Sequence, residues 1–358
     1  MTRIMLAAGG TGGHLFPAEA LAAELVAKGH QVFLMTDRRG ARIGTGDASC
    51  PRHAIVAGGI AGKTLSERLR NLARLLVGFI QSLAVALRRR PELAVGFGGY
   101  VSFPPLLAAR LTGARLVLHE QNAIMGRANR MLARWTSGTA FGFASRAMPA
   151  NARVIGNPVR PAILALGAES YAASEEEVHL LVTGGSQGAR AFATLVPEAI
   201  ALLPERLRAR LVIAQQCRAD DLDSVGERYR MLGQHRVTLA PFFSDMPERL
   251  RWAHLVICRA GASSLSELAV AGRPAIAIPL PGSIDGHQDA NAQSFAEAGA
   301  LMICREKEGA PALARALEDY IGEPGRLAKK AEAMRSLARP QAARELAAFA
   351  LSHLRGGT

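Results

Sequence analysis

Two glycine-rich turns of the same composition, Gly-Gly-[Thr/Ser]-x-Gly, could bind the phosphate groups of a ligand. They occupy residues 9–13 and 184–188, and each follows a short apolar run and precedes a segment with helical periodicity. Glycine lets the backbone approach a ligand closely, and the N-terminus of a following helix attracts an anion. Each turn is a candidate diphosphate site, although a tight strand-to-helix connection explains the same glycines without a ligand.

Neither turn matches a standard nucleotide fingerprint. A Gly-x-Gly-x-x-Gly pattern that starts at Gly10 would need glycine in place of Leu15, and neither loop contains Gly-Lys-[Ser/Thr]. These mismatches disfavour an NAD-dependent enzyme and a P-loop nucleotidase.

His14 directly follows the first turn, where a helix is predicted to open. A histidine beside bound phosphate can accept the proton of a hydroxyl nucleophile, so His14 is a candidate general base. The alternative is a histidine that only caps the turn or forms a hydrogen bond within it.

A second helix start is predicted after the apolar run 255–258. There, Ser264 and Glu267 have the spacing of a capping box, which would give Glu267 a purely structural role. The functional alternative is a carboxylate that accepts hydrogen bonds from the hydroxyls of a ribose.

Polar residues also follow two other predicted strands, at 119–122 and 285–291, and their amides suit sugar hydroxyls. Pairing His119 with Glu120, or His287 with Asp289, does not give a convincing metal-ligand spacing. We therefore predict no required metal.

The elements that must position these residues form an α/β pattern that occurs twice. Continuous apolar runs at 3–8, 31–36, 93–97, 115–118 and 139–143, and again at 178–182, 211–215, 255–258 and 275–279, alternate with helical segments. Continuous runs are typical of parallel strands that are covered on both faces. We predict two Rossmann-like domains facing across a cleft, because parallel sheets bind ligands at the carboxyl ends of their strands. The predicted ranges are 1–160, 161–335 and a C-terminal helix at 336–358 that could pack back on the first domain.

The composition supports a globular chain of two domains. The 358 residues are 49% hydrophobic, and the four cysteines are far apart, which favours neither a disulfide framework nor a zinc site. We expect no secretory signal before the first strand. The longest uncharged helical run, 75–87, is shorter than the roughly 20 residues of a spanning helix, so no membrane crossing is expected.

The positive charge is concentrated in the first half of the chain. Residues 1–160 contain 21 Lys and Arg against 7 Asp and Glu, whereas residues 161–358 contain 22 against 23. Within this half, Thr64 to Arg90 is predicted as a basic amphipathic helix. Such a helix suits an anionic membrane surface, although a core-packed helix with a solvated basic face has the same pattern. With aromatic residues at only 5%, nucleic acid is not an expected partner.

Several blocks of the chain, taken together and in order, resemble the MurG family of peptidoglycan glycosyltransferases. They are residues 9–14 with 16–17, 98–102, 119–122, 156–160, 184–190, 258–267, and Gln288 with 291–292. The resemblance implies the GT-B fold. The C-terminal domain would bind UDP-N-acetylglucosamine, and the N-terminal domain would receive the lipid-linked acceptor, lipid I.

The resemblance also implies roles for individual residues. His14 would be the catalytic base; Thr11, Gly12 and Gly13 would approach the nucleotide sugar, and Asn122 and Gln288 would hold sugar hydroxyls. Arg160 and Ser186 would contact the nucleotide or its diphosphate, the backbone of Phe243 the uracil, and Glu267 the ribose. The donor stretch comprises Ala262, Ser263, Ser264, Leu265, Ser266 and Glu267.

By the same resemblance, the reaction is an inverting displacement that gives lipid II and UDP for cell-wall synthesis, cell shape and division, without an obligatory cofactor. The enzyme would work on the cytoplasmic face of the inner membrane as a peripheral protein. The predicted patch for the anionic surface comprises Arg68, Arg74, Leu75, Phe79, Arg88, Arg89 and Arg90.

Two other function classes stay open at this point. One keeps the fold and changes the reaction, as in a UDP-N-acetylglucosamine 2-epimerase or another GT-B transferase. The other is a nucleotide-sugar sensor that binds without turnover. A basic amphipathic helix and the His14 block favour the transferase, because a soluble epimerase has little use for them.

Overall fold

A computed structural model describes residues 1–42, 49–58, 64–144, 148–149, 152–172, 174, 176–185, 190–323 and 325–354. The chain divides into two compact units. Unit 1 comprises Met1–Arg160 and Pro340–Thr358, and unit 2 comprises Pro161–Arg339. All four cysteines are buried and free of disulfides, as the sequence predicts.

Unit 1 contains a parallel sheet. Its strands are β1 Arg3–Ala7, β2 Gln31–Asp37, β3 Arg52–Ile55, β4 Leu93–Gly96, β5 Arg115–Glu120, β6 Gly138–Phe141 and β7 Ala152–Val154, in the order β3-β2-β1-β4-β5-β6-β7. Its first helices are α1 Gly12–Ala27, α2 Leu65–Arg89, α3 Phe103–Leu111 and α4 Arg127–Leu132. Apolar clusters cover both faces of the sheet, which explains why β1, β4 and β6 are continuous apolar runs.

Unit 2 repeats this design with a second parallel sheet. Its strands are β8 Val178–Thr183, β9 Leu211–Gln216, β10 Val237–Ala240, β11 Leu255–Cys258, β12 Ala275–Ala277 and β13 Leu301–Ile303, in the order β10-β9-β8-β11-β12-β13. Its helices are α5 Pro161–Leu164, α6 Phe192–Ala201, α7 Glu205–Arg208, α8 Leu222–Met231, α9 Met246–Trp252, α10 Ala262–Ala271, α11 His287–Glu297, α12 Gly309–Gly322 and α13 Arg326–Ser336.

The last helix, α14 (Ala342–Ser352), belongs to unit 1 although it follows unit 2 in the chain. Leu346, Ala347, Phe349 and Ala350 lie in the same buried cluster as Leu21 and Leu25 of α1. One face of the first sheet is therefore completed by the end of the chain.

Both sheets reverse their strand order at one point, between β1 and β4 in unit 1 and between β8 and β11 in unit 2. Loops that leave the carboxyl ends of neighbouring strands diverge at such a point and leave a crevice where ligands bind. The first glycine turn follows β1, and the second turn follows β8. The fold thus places each turn at the switch point of its own sheet.

Candidate active site

The first glycine turn connects β1 to α1, with Thr11 in extended conformation at the N-cap. Gly10 is required by close packing, because a Cβ atom there would lie 2.0 Å from Oδ1 of Asp37. At Gly13 a Cβ atom would meet open space, so packing does not explain this glycine. The turn is therefore fixed at one end and accessible at the other.

His14 lies in the first turn of α1, as the sequence predicts, and its side chain is partly buried. Its Nδ1 atom is 2.9 Å from Oε1 of Gln121, which directly follows β5. A Cβ atom at Gly9 would be 3.3 Å from the Cδ2 atom of His14, and one at Gly99 would be 3.4 Å from Nε2. The imidazole thus lies between the loops that leave β1 and β4.

A buried hydrogen-bonded chain continues from Gln121 into the protein. Its Nε2 atom is 3.1 Å from Nδ1 of His119, and Nε2 of His119 is 2.9 Å from the carbonyl oxygen of Gly156. His119 is fully buried, and burial lowers its pKa to about 4. His119 is accordingly a neutral ring at neutral pH.

The neighbouring carboxylate, Glu120, organises the loop that follows β5. It is buried and accepts hydrogen bonds from the backbone and side-chain nitrogens of Asn122 at 3.0 Å, from the backbone of Gly126 at 2.9 Å and from Asn129 at 2.8 Å. Four donors satisfy a carboxylate without a cation. Asn122, predicted to hold a sugar hydroxyl, is thereby held in place by Glu120.

Arg160 is the last residue of the first segment of unit 1, and its guanidinium lies 4.9 Å from the ring centroid of Phe16 in α1. Among the described residues, no group of three or more His, Cys, Asp or Glu side chains is arranged to hold a metal ion. That no metal or other cofactor is required stays a prediction.

The capping box predicted at Ser264 and Glu267 is wrong. Helix α10 begins earlier, with Gly261 at the N-cap, so Ser264 already lies in its first turn and Glu267 in the next. Glycine supplies no side-chain cap, and a helix N-terminus of this kind suits an anion. Glu267 therefore has no capping-box role, and its role as a ribose ligand stays a prediction.

The donor stretch has two faces. Ala262, Leu265 and Ser266 are buried, and the hydroxyl of Ser266 donates to the carbonyl of Ala262 at 2.9 Å. Ser263, Ser264 and Glu267 are partly exposed, at the three- and four-residue spacing of one helix face. Side-chain contacts with a ligand are therefore available to the second set.

The second glycine turn is described only through Gly185, so Ser186 lies outside the described residues. Gln216, at the end of β9, binds the start of this turn: its Oε1 accepts from the backbone of Gly184 at 3.2 Å, and its Nε2 donates to the carbonyl of Gly185 at 3.1 Å. Nε2 also donates to the carbonyl of Pro241 at 3.3 Å. Gln216 thus ties the turn to the loop that contains Phe243.

Phe243 lies in the loop that follows β10, and Gln288 lies in the first turn of α11. The Phe243 side chain is buried under the guanidinium of Arg249, 4.8 Å from the ring centroid, so the ring itself is not presented to solvent. Oε1 of Gln288 accepts from the backbone of Leu280 at 2.9 Å. Sequence reasoning included Gln121 only within the polar block 119–122 and did not single out Gln216. The bonds from Gln121 to His14 and from Gln216 to Gly184 join residues that are 107 and 32 positions apart in the chain.

Helix α2 is confirmed over Leu65–Arg89, and it opens with a capping box between Thr64 and Glu67. One face, with Gly78, Ser82 and Ala86, is buried against unit 1. The opposite face carries large apolar side chains that are 45–65% exposed: Leu69, Leu72, Leu76, Val77, Ile80 and Leu87.

The structure changes the apolar part of the predicted membrane patch. Leu75 and Phe79 are only partly exposed, because they lie beside the buried face of α2. Arg68, Arg74, Arg88, Arg89 and Arg90 are exposed as predicted. Within the described residues, Ser66–Arg89 also has the length and hydropathy of a spanning helix, with 17% of its apolar window buried in the protein. The 13-residue uncharged run at 75–87 therefore underestimated the length of the apolar segment in α2.

Two Rossmann-like units with parallel sheets are the architecture of the GT-B fold, which glycosyltransferases of known structure share. The chain belongs to glycosyltransferase family 28: the pattern of its N-terminal domain matches residues 4–140, and that of its C-terminal domain matches residues 179–346. Within this family the chain is a member of the MurG group, as its relatives show.

One relative, from Rhodospirillum rubrum, is 49% identical over 96% of this chain and 90% of its own length. Another, from Brucella suis biovar 1, is 46% identical over 99% of this chain and 95% of its own length. Both are named UDP-N-acetylglucosamine--N-acetylmuramyl-(pentapeptide) pyrophosphoryl-undecaprenol N-acetylglucosamine transferase.

The solved structure of Acinetobacter baumannii MurG is 29% identical and covers 98% of this chain and 99% of its own, with a TM-score of 0.77. A putative UDP-N-acetylglucosamine 2-epimerase from Listeria monocytogenes covers 100% and 98%, with a TM-score of 0.71. Because it is only 16% identical, it shows the shared fold alone.

Proposed function

We propose that this protein transfers N-acetylglucosamine from UDP-N-acetylglucosamine to the 4-hydroxyl of N-acetylmuramoyl-(pentapeptide)-diphospho-undecaprenol, lipid I. The products are lipid II and UDP. The observation that carries this proposal is the 49% identity, over 96% of the chain, to a protein named for this transfer. The epimerase alternative has only a shared fold in its favour.

The chemistry that we propose is a single displacement with inversion. The 4-hydroxyl oxygen forms a bond to the anomeric carbon while the bond from that carbon to the diphosphate breaks, and UDP leaves with the electron pair. His14 accepts the hydroxyl proton. Its position in the first turn of α1, next to the accessible Gly13, supports this role.

We propose that unit 2 binds the donor. The uncapped N-terminus of α10 faces the diphosphate, and the partly exposed face with Ser263, Ser264 and Glu267 supplies side-chain contacts. A helix N-terminus stabilises the charge that develops on the leaving diphosphate, so this step needs no metal.

For localisation, we propose peripheral binding at the cytoplasmic face of the inner membrane through α2. Its exposed apolar face enters the interface, while Arg68, Arg74 and Arg88–Arg90 contact anionic headgroups at about 1 kcal/mol per cation. The buried opposite face supports this orientation, because a spanning helix would have to leave its contacts with unit 1.

The proposed reaction is tested with labelled UDP-N-acetylglucosamine and a lipid I analogue. We expect the parent to form the disaccharide product and His14→Ala to lower kcat by roughly 10²- to 10⁴-fold, since a general base contributes about that much. Glu267→Ala should instead raise the KM for the donor.

Donor binding, measured by calorimetry, is the control for both variants. His14→Ala should retain the parent affinity for UDP-N-acetylglucosamine, whereas Glu267→Ala should lose affinity. A parent protein that forms no disaccharide would refute the transferase, and full activity in His14→Ala would remove that residue as the base.

Membrane binding is tested with liposomes that contain anionic lipid. We expect the triple variant Leu72→Ser, Leu76→Ser, Ile80→Ser to bind less tightly, because it removes three of the six large exposed apolar side chains in the described part of α2. The matched control, Leu202→Ser with Met231→Ser, removes exposed apolar side chains of unit 2 and should bind like the parent. Alkaline carbonate should release the bound parent protein; retention would instead indicate a spanning helix.

A further inference from the structure

The buried chain behind His14 determines where the protons of its members lie. Nε2 of His119 is 2.9 Å from the carbonyl oxygen of Gly156, and a carbonyl oxygen only accepts hydrogen bonds. Nε2 of His119 must therefore carry the proton. Because the pKa of His119 is about 4, the ring is neutral, and its Nδ1 atom is an acceptor.

The side-chain amide of Gln121 is oriented by this acceptor. Its nitrogen faces two acceptors, Nδ1 of His119 at 3.1 Å and the carbonyl oxygen of His119 at 3.2 Å. The opposite orientation would place the amide oxygen, which is itself an acceptor, against both of these acceptors. The backbone of Gln121 is held as well, because its carbonyl accepts from Nδ2 of Asn157 at 3.1 Å.

The amide oxygen of Gln121 consequently faces Nδ1 of His14 at 2.9 Å. This oxygen only accepts, so Nδ1 of His14 must donate. A neutral imidazole has a single N–H group, and its other nitrogen then carries a lone pair. That nitrogen, Nε2, lies on the ring edge beside Gly99 at the switch point of the first sheet.

We propose that Gln121 and His119 are positioning residues that hold His14 in the Nδ1–H tautomer, with the Nε2 lone pair available for a proton. The catalytic meaning of this inference rests on the proposed function. When the acceptor hydroxyl gives its proton to Nε2, the Nδ1–H group keeps its bond to the amide oxygen. No rearrangement behind the base is needed.

The hydrogen-bond partner of His14 is an amide, and this distinguishes the His14–Gln121 pair from a histidine–carboxylate pair. A carboxylate would add a negative charge beside the imidazole and favour its charged form. A neutral amide fixes the tautomer and the ring orientation without that charge. Gln121 thus fixes which ring nitrogen of His14 donates the hydrogen bond and how the ring is oriented.

The tautomer can be measured directly in the full chain labelled with ¹⁵N-histidine. Two-bond ¹H–¹⁵N correlation spectra distinguish a protonated ring nitrogen from one with a lone pair, and His14 is assigned by the signals that are missing in His14→Ala. We expect Nδ1 of His14 to be protonated in the parent. A parent with the Nε2–H tautomer would overturn the proposal without any further variant.

Gln121→Met tests the link, because methionine has a similar length and offers no amide to either histidine. We expect the Nδ1–H tautomer of His14 to lose its dominance and kcat to fall on the order of 10²-fold, with an unchanged KM for the donor. Gln215→Met, which removes another buried glutamine, one bonded to Tyr229 in unit 2, is the control and should leave the His14 signals unchanged.

The two possible failures are distinguishable. If the parent shows the Nδ1–H tautomer but no turnover, the proposed function fails while the positioning of His14 stands. If Gln121→Met retains both the tautomer and the parent kcat, the positioning role fails and the transferase stands.

Discussion

At the scale of single residues, the chemistry depends on contacts that join distant parts of the chain. His14 could be identified from sequence because neighbouring residues alone show that a histidine directly follows a glycine-rich turn. Its partner Gln121 could not, because residues 14 and 121 meet only once β1 and β5 lie in the same sheet. The capping box at Ser264 and Glu267 failed for a related reason: sequence spacing does not tell where a helix begins, and Gly261 begins this one.

One buried histidine, His119, and one partly buried histidine, His254, should make the protein less stable in acid. His119 and His254 both have a pKa of about 4 in the fold, mainly because burial disfavours the charged ring, whereas histidine in the unfolded chain titrates near 6.5. Between pH 6.5 and 4 the unfolded state binds more protons, so the free energy of unfolding falls as pH falls. Each group contributes at most about 1.4 kcal/mol per pH unit.

The variant His119→Gln tests whether His119 is a source of this acid sensitivity. It removes the titrating ring but leaves an amide that can donate to the carbonyl of Gly156. Urea unfolding of parent and variant between pH 6.5 and 4 measures how the free energy of unfolding depends on pH. We expect this dependence to be shallower for the variant. Equal slopes would mean that His119 is not a source of the acid sensitivity.

At the scale of elements, the predicted strands were those that lie inside the sheets or next to their switch points. The four strands that the apolar runs missed, β3, β7, β10 and β13, are the outer strands of the two sheets. Their residues are largely only partly buried, as in Ala152–Val154 and Val237–Ala240. An edge strand needs fewer apolar side chains, so hydrophobic runs identify inner strands better than outer ones.

The packing of α14 on the first sheet can be tested at Gly138, the first residue of β6. A Cβ atom there would lie 2.2 Å from Nε2 of His353 and 2.8 Å from Cζ of Phe349. We expect Gly138→Ala to lower the free energy of unfolding by about 1–3 kcal/mol, the usual cost of overpacking. Denaturant unfolding measures this change.

Gly226 provides the matched control within α8. A Cβ atom there would be 3.6 Å from Cδ1 of Leu239, an ordinary contact. Because alanine favours helix over glycine, Gly226→Ala should leave stability unchanged or raise it by up to about 1 kcal/mol. If Gly138→Ala were equally harmless, α14 would not be packed as closely as the structure indicates.

At the scale of the whole molecule, two parallel sheets could be predicted from the twice-repeated α/β pattern. That pattern depends only on the local alternation of strands and helices along the chain. The sequence also suggested that a C-terminal helix at 336–358 could pack back on the first domain, but the return point at Pro340 has no local signature. Only the fold shows that α14 covers α1.

Deleting residues 340–358 should therefore destabilise unit 1 selectively. The deletion removes Leu346 and Phe349 from a buried cluster, and loss of such side chains typically costs about 2–5 kcal/mol each. Hydrogen exchange followed by mass spectrometry should show faster exchange in α1 and unchanged exchange in β8. Uniform protection of both units after the deletion would contradict the assignment of α14 to unit 1.

This connectivity makes unit 2 an insertion within unit 1, and that has a consequence for biosynthesis. A ribosome synthesises the strands of the first sheet before unit 2 but its covering helix α14 only after all of unit 2. The apolar side of α1 stays uncovered for most of translation, a condition that exposes nascent chains to aggregation. Unit 1 can therefore bury this side of α1 only after the whole of unit 2 has been synthesised.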